Sequence, residues 1–153
     1  MDGTLRKARL FPAAGPLATW DQTILPGRLQ RMRRLRGEGH RLGAVSNQAL
    51  VAMGLLTLPR CERIMEETNR RLDGLLEWIR ICPHHPLGLR PRYRRSCACR
   101  KPAPGMLEEA LAFFRVGPRE ALFVGDRETD RLAAAAAGMP FEPADEFFPA
   151  ARR

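Results

Sequence analysis

Lysine is almost missing from this chain. Lys7 and Lys101 are the two it has, and arginine makes up the rest of its 26 basic residues. Tyrosine occurs once, and aromatic residues are 7% of the total, which disfavours the stacking platforms that bind single-stranded nucleic acid. No apolar run reaches the length needed to cross a bilayer. The first fifteen residues carry Arg6, Lys7 and Arg9 with no apolar segment behind them, so no export signal is read and a cytoplasmic protein is expected. The net charge of +9 suits polyanions or phosphorylated small molecules. An arginine-rich, alanine-rich composition also follows from a GC-rich genome, so charge alone names no partner.

What is present is a chain of 153 residues, expected to form one domain over 1–153 with a core of ordinary size. Residues 6 to 25 read as irregular. "LPGRLQRMRRLRGEG" reads as a helix: Leu29, Met32 and Leu35 recur at helical spacing, Pro26 and Gly27 open it, and Gly37 or Gly39 closes it. Its five arginines, Arg28 to Arg36, read as a solvated face. "RLGAVSNQ" is a short apolar run ending in polar residues, the pattern of a buried parallel strand. Residues 58 to 79 read as a second helical stretch, with Ile64, Met65, Leu72, Leu75 and Leu76 inward. Residues 82 to 101 are too rich in Pro, Gly and Arg to be regular. "KPAPGMLEEALAFFRVG" is a third helix, ended by Gly117; "ALFVGD" is a second strand; "TDRLAAAAAGMP" is a short helix capped by Gly138. Alternating strand and helix predicts an α/β fold with a parallel sheet flanked by helices.

Chemistry-bearing residues fall at strand ends, where ligands bind in open parallel sheets. "VGDRETD" delivers Asp126 to a strand tip, a place for a hard cation such as Mg²⁺; a turn aspartate is the plainer alternative, and Asp130 also suits a helix cap. "AVSNQ" puts the Ser46 hydroxyl where it can donate to a phosphate oxygen, or merely close a turn. In "CACRKPAPG", Lys101 can neutralise a phosphoryl group, with Arg100 and Lys101 as two surface cations the plainer alternative. "CPHHPLGLRPRYRRSCAC" supplies Cys82, His84, Cys97 and Cys99, a thiolate and imidazole set suited to a closed tetrahedral Zn²⁺ site. His85 reads as surface or as a neighbour of that site, and Cys61 as a small core residue.

Taken in order, "DGTL", "SNQ", "CPHHP…CACRKPAPGML" and "VGDRETD" resemble the haloacid dehalogenase (HAD) superfamily, and within it the zinc-containing histidinol-phosphate and heptose-bisphosphate phosphatases. The resemblance implies a Rossmann-like fold with a zinc-binding loop at 82–101. It implies a Mg²⁺-dependent phosphatase acting on a small phosphorylated metabolite; a monomer is expected. By position, Asp2 matches the general acid and base, whose backbone carbonyl also contacts Mg²⁺. Ser46 matches the phosphate-binding hydroxyl, with Asn47 and Gln48 beside it. Lys101 matches the phosphoryl-stabilising lysine, Arg100 and Arg127 match substrate-contacting cations, and Asp126 matches the Mg²⁺ ligand. Cys82, His84, Cys97 and Cys99 match the zinc ligands.

Two departures stand against that pattern. The nucleophilic aspartate belongs two positions ahead of Asp2, upstream of Met1, and the strand that carries it is expected to be missing here. A start codon placed too late, a fragment and a non-catalytic relative are the three explanations, with the first preferred because the other motifs are intact. After Gln48, "ALVAMG" replaces the small-residue run with Ser and Arg that the zinc branch carries, so the reaction class is better marked than the substrate. Two non-catalytic readings stay open: a phosphate-binding relative without activity, and a zinc-stabilised basic protein that binds polyanions.

Overall fold

The computed structural model describes residues 1–7 and 23–148. Most of the stretch read as irregular, residues 8–22, lies outside the described residues, as does the C-terminal 149–153.

Helix α1 spans Arg28–Gly37, entered through Gly27 at φ 74°, a left-handed turn that suits a residue without Cβ. Met32 is its most buried apolar residue. The solvated-face reading fails at Arg28, which is buried, donates from Nε to Thr4 O at 3.1 Å and from Nη1 to Phe148 O at 2.9 Å, and stacks on the Phe148 ring at 4.7 Å. A guanidinium can sit inside when backbone carbonyls and an aromatic face replace its water.

Strand β1, Gly43–Asn47, is buried at Ala44, Val45 and Ser46 in succession, as expected of a strand covered on both faces. Short helix α2 covers Ala49–Ala52 and is followed by α3, Leu58–Arg71. Helix α3 buries Cys61, Ile64, Met65 and Thr68, spacings of three and four that keep one face inward.

The helical stretch expected to run to residue 79 stops early. Asp73 and Gly74 both take positive φ, and Trp78–Cys82 is strand β2, parallel to β1 with Ser46 opposite Ile81 and Asn47 opposite Cys82. The "DG" pair breaks the helix, and "WIRIC" is rich in β-branched and aromatic residues.

Residues Pro91–Tyr93 form one 3₁₀ turn inside the cysteine loop. Helix α4 covers Gly105–Phe114 and ends at Arg115 in the left-handed region (φ 56°), two residues before the expected Gly117. Strand β3, Phe123–Gly125, leads into α5, Glu128–Ala136. The sequence reading had no counterpart for the last two elements, strand β4 (Phe141–Pro143) and helix α6 (Ala144–Phe147). Strand β4 pairs in parallel with β3.

The described strands thus form two parallel pairs, β1–β2 and β3–β4, flanked by helices. Residues 2–6 make only isolated bridges, Asp2 with Arg6 and Arg6 with Ile24. Met1 and Leu5 nevertheless join the main core with Val51, Ile64, Met65 and Leu72. Each such buried side chain is worth roughly 1.5–3 kcal/mol, which secures the "DGTL" segment against the body of the fold. Among the described residues no helix is long and apolar enough to cross a membrane.

Candidate active site

The tips of β1 and β3, the "DGTL" segment and the end of the cysteine loop are joined by a circuit of side-chain contacts. It starts at Asp2. Gln48 Nε2 donates to Asp2 Oδ2 at 2.9 Å and lies 2.8 Å from Ser46 Oγ. Asn47 reaches the cysteine loop: its Nδ2 donates to Lys101 O at 2.9 Å, and its Oδ1 accepts from Lys101 N at 3.1 Å. This two-way clamp fixes the Lys101 backbone to the end of β1. Lys101 Nζ then lies 2.6 Å from Asp130 Oδ1. The other Asp130 oxygen accepts from the backbone N–H groups of Asp126 and Arg127, both at 3.2 Å. The capping reading of Asp130 therefore holds, and the same carboxylate also pairs with Lys101. Asp126 closes the circuit, because Thr4 Oγ1 donates to Asp126 Oδ1 at 2.7 Å.

Two glycines make the closure possible. A Cβ on Gly3, at φ 79°, would sit 2.1 Å from Asp126 Oδ2, and a Cβ on Gly125 would sit 2.5 Å from Asp130 Cβ. The glycine in each motif is what lets the neighbouring carboxylate approach the backbone.

Asp2, Ser46, Lys101 and Asp126 are therefore brought together. Asn47 and Gln48 hold Lys101 and Asp2, respectively. Arg127 is exposed and lies 3.9 Å from Asp126 through Nε. Arg100 points back into the cysteine loop, donating from Nη1 to His84 O at 2.9 Å. Sequence reasoning missed Thr4 and Arg6. Thr4 stood inside the quoted "DGTL" motif, so its part was legible there. Arg6 is fully buried with Nε 2.6 Å from Asp2 Oδ1, and in sequence it looked like one cation among many.

Burial pushes the Asp2 carboxyl up, but the charges of Arg6 and of the Met1 ammonium, with hydrogen bonds from Arg6 and Gln48, hold it below the ordinary carboxylate value. The Asp126 carboxylate, set against Gly3 and partly open to solvent, offers the hard oxygen that Mg²⁺ takes.

The second cluster lies in the cysteine loop. The Sγ atoms of Cys82, Cys97 and Cys99 and His84 Nδ1 all lie within 4.8 Å of one another. Individual separations are 3.1 Å for Cys82–Cys99, 3.2 Å for Cys97–Cys99, 3.5 Å for Cys82–Cys97, and 3.4 and 3.7 Å from His84 Nδ1 to Cys99 and Cys82. Metal–sulfur bonds of about 2.3 Å imply tetrahedral edges of about 3.8 Å, so the donors fit a single ion with slight expansion. Burial lowers the His84 pKa, with Arg95 adding to the effect, a shift toward the neutral form that a metal ligand takes. Burial raises the Cys97 thiol, but hydrogen bonds from Cys99, Cys82 and backbone N–H groups outweigh it and bring its pKa below the ordinary value. His85 accepts from Leu87 N at 3.1 Å and stays outside the cluster. Cys61 is a fully buried core residue, its thiol pushed up to about 12 by burial.

Comparison with known proteins gives the family. Residues 98–141, from the second cysteine pair to the start of β4, match the HAD-hydrolase-like family model. The D-glycero-β-D-manno-heptose-1,7-bisphosphate 7-phosphatase of Haemophilus ducreyi is 32% identical over 123 residues, covering 78% of this chain and 67% of that protein. The chain belongs to the HAD superfamily, in its heptose-bisphosphate phosphatase branch. The Salmonella typhi enzyme of the same name is 38% identical over 119 residues, covering 76% of this chain and 63% of its own length. This HAD chain thus spans somewhat less than two thirds of the first curated relatives it matches. The crystal structure of D,D-heptose 1,7-bisphosphate phosphatase from B. bronchiseptica, complexed with magnesium and phosphate, matches at a TM-score of 0.72 and 27% identity, over 93% of this chain and 74% of that one.

Proposed function

We propose that this HAD chain carries the acid–base, phosphate-holding and metal-binding groups of a Mg²⁺-dependent phosphomonoesterase for a small phosphorylated metabolite. A heptose 1,7-bisphosphate is the first substrate to try and histidinol phosphate the second. The observation that carries the reading is the contact circuit from Asp2 through Gln48, Asn47 and Lys101 to Asp130 and Asp126. Four separated motifs converge where one phosphoryl group would sit.

In this reading Asp2, ionised in the free protein, takes up a proton as the phosphate dianion arrives beside it, gives that proton to the departing oxygen and later takes one from water. The Ser46 hydroxyl and the Lys101 ammonium hold the phosphoryl oxygens, and Lys101 exchanges part of its pairing with Asp130 for the substrate. Asp126 would hold Mg²⁺, with the Asp2 carbonyl; the ion, when bound, offsets the repulsion between an attacking carboxylate and a phosphate dianion. The family pattern puts that attacking carboxylate two positions ahead of Asp2, outside this sequence, and it takes the phosphoryl group as an aspartyl phosphate. Cys82, His84, Cys97 and Cys99 would hold a structural Zn²⁺ that shapes the loop delivering Lys101. We place the reaction in the cytoplasm, on a monomer.

The test is phosphate release by the chain extended with the family's upstream aspartate, assayed with heptose 1,7-bisphosphate and histidinol phosphate. Release that needs Mg²⁺ and falls by about a hundredfold or more in Asp2→Asn supports the reading. An extended chain that stays folded and inert toward both substrates overturns it.

A further inference from the structure

Arg6 is fully buried and contacts groups on two sides. Toward the site, its Nε lies 2.6 Å from Asp2 Oδ1. Toward the core, its Nη1 donates to Thr68 Oγ1 at 2.7 Å, and its Nη2 lies 3.9 Å from Met65 Sδ. Thr68 is itself fully buried and donates its hydroxyl proton to Ile64 O at 2.8 Å, which turns its lone pairs toward the guanidinium. Backbone bridges to Asp2 and Ile24 hold the Arg6 main chain as well. The guanidinium is thus braced by α3 on one side and presses on one oxygen of Asp2, while Gln48 holds the other oxygen at 2.9 Å. The planar fork is what lets one side chain meet Asp2, Thr68 and Met65 together; an ammonium on a flexible stem cannot do so.

We propose that Arg6, braced by Thr68, is a positioning residue for Asp2: it fixes the carboxylate beside Gln48 and Ser46 in the orientation that delivers a proton to the leaving oxygen. The proposal rests on the function proposed above. It differs from a purely structural ion pair, in which Asp2 merely neutralises a buried arginine.

Leaving-group dependence separates the two. An alkoxide leaving a sugar phosphate needs a proton from Asp2, whereas p-nitrophenolate leaves well without one. A displaced Asp2 therefore slows the first substrate far more than the second. The measure is kcat/KM, which reports every step up to leaving-group departure. The protein is the extended chain, with Arg6→Lys and Thr68→Val compared with the parent on a sugar phosphate and on p-nitrophenyl phosphate.

The expected result is a loss of about tenfold or more on the sugar phosphate with Arg6→Lys, and of less than about threefold on p-nitrophenyl phosphate. Thr68→Val, which keeps the ion pair and removes one brace, shows the same ratio at smaller amplitude and carries the test if Arg6→Lys does not fold. Equal losses on both substrates, or unchanged kcat/KM with a lowered melting temperature, overturn the proposal and leave the phosphatase reading standing. A parent chain inert on both substrates overturns both.

Discussion

Lys101 Nζ sits 2.6 Å from Asp130 Oδ1, and each of the two side chains is only 6% exposed. This pair joins the end of the cysteine loop to the first turn of α5. Removing one partner of such a pair leaves a buried charge uncompensated, at about 3–5 kcal/mol. Asp130→Ala is expected to cost that much in urea unfolding, because it also strips the acceptor from the Asp126 and Arg127 N–H groups. Lys101→Met is expected to cost less, since Asp130 keeps those two donors. A change under about 1 kcal/mol in Asp130→Ala would show that the pair is not formed in solution.

Gly3 makes a second, sharper case. Its φ of 79° and the 2.1 Å approach of its virtual Cβ to Asp126 Oδ2 leave no room for a methyl group. Gly3→Ala therefore costs about 1–2 kcal/mol in backbone strain and pushes the Asp126 carboxylate off its place. In the extended chain the Mg²⁺ concentration for half-maximal phosphate release is expected to rise about tenfold. An unchanged Mg²⁺ midpoint would detach Asp126 from the metal.

The acid side of the stability profile follows from Asp2. Its carboxyl is held below the ordinary value of 3.8: burial raises it, and Arg6, the Met1 ammonium and Gln48 together outweigh burial. A group depressed on folding contributes stability above its unfolded value and loses it as pH falls through the folded value. The urea midpoint of the parent is expected to fall as pH drops below about 4. Asp2→Asn starts lower, because Arg6 loses the carboxylate at 2.6 Å, and falls less over that window. Parallel curves for the two proteins would contradict the pairing.

Much of this arrangement was legible in the chain because short motifs carry their own geometry. "AVSNQ" and "ALFVGD" announce strands with polar ends, and C-x-H with C-x-C announces one cluster of thiol and imidazole donors. The breaker "DG" at 73–74 is overridden by the apolar residues around it, so the helical pattern runs on to residue 79, into the first two residues of β2. Arg6 and Arg28 could not be told from surface arginines, because burial of a cation depends on partners far along the chain: Thr68 for one, Phe148 for the other. The Lys101–Asp130 contact was hidden for the same reason, since capping accounts for Asp130 locally and its second partner comes from another loop.

The cysteine cluster gives a prediction independent of catalysis. Purified protein is expected to hold about one Zn²⁺ per chain by metal analysis, and Cys97→Ser or His84→Ala to lose most of it. Stripping the metal with a chelator is expected to lower the melting temperature, because a structural site contributes binding energy to the fold. Metal-free protein with an unchanged melting temperature would remove zinc from the account.

The most direct test of the central claim, that four motifs form one phosphoryl site, is calorimetric titration of the 153-residue chain with orthophosphate, with and without Mg²⁺. The account expects about one phosphate bound per chain in a Mg²⁺-dependent way, with affinity reduced about tenfold or more in Lys101→Met and in Ser46→Ala. Phosphate that binds equally well to both variants, or with no response to Mg²⁺, would contradict it.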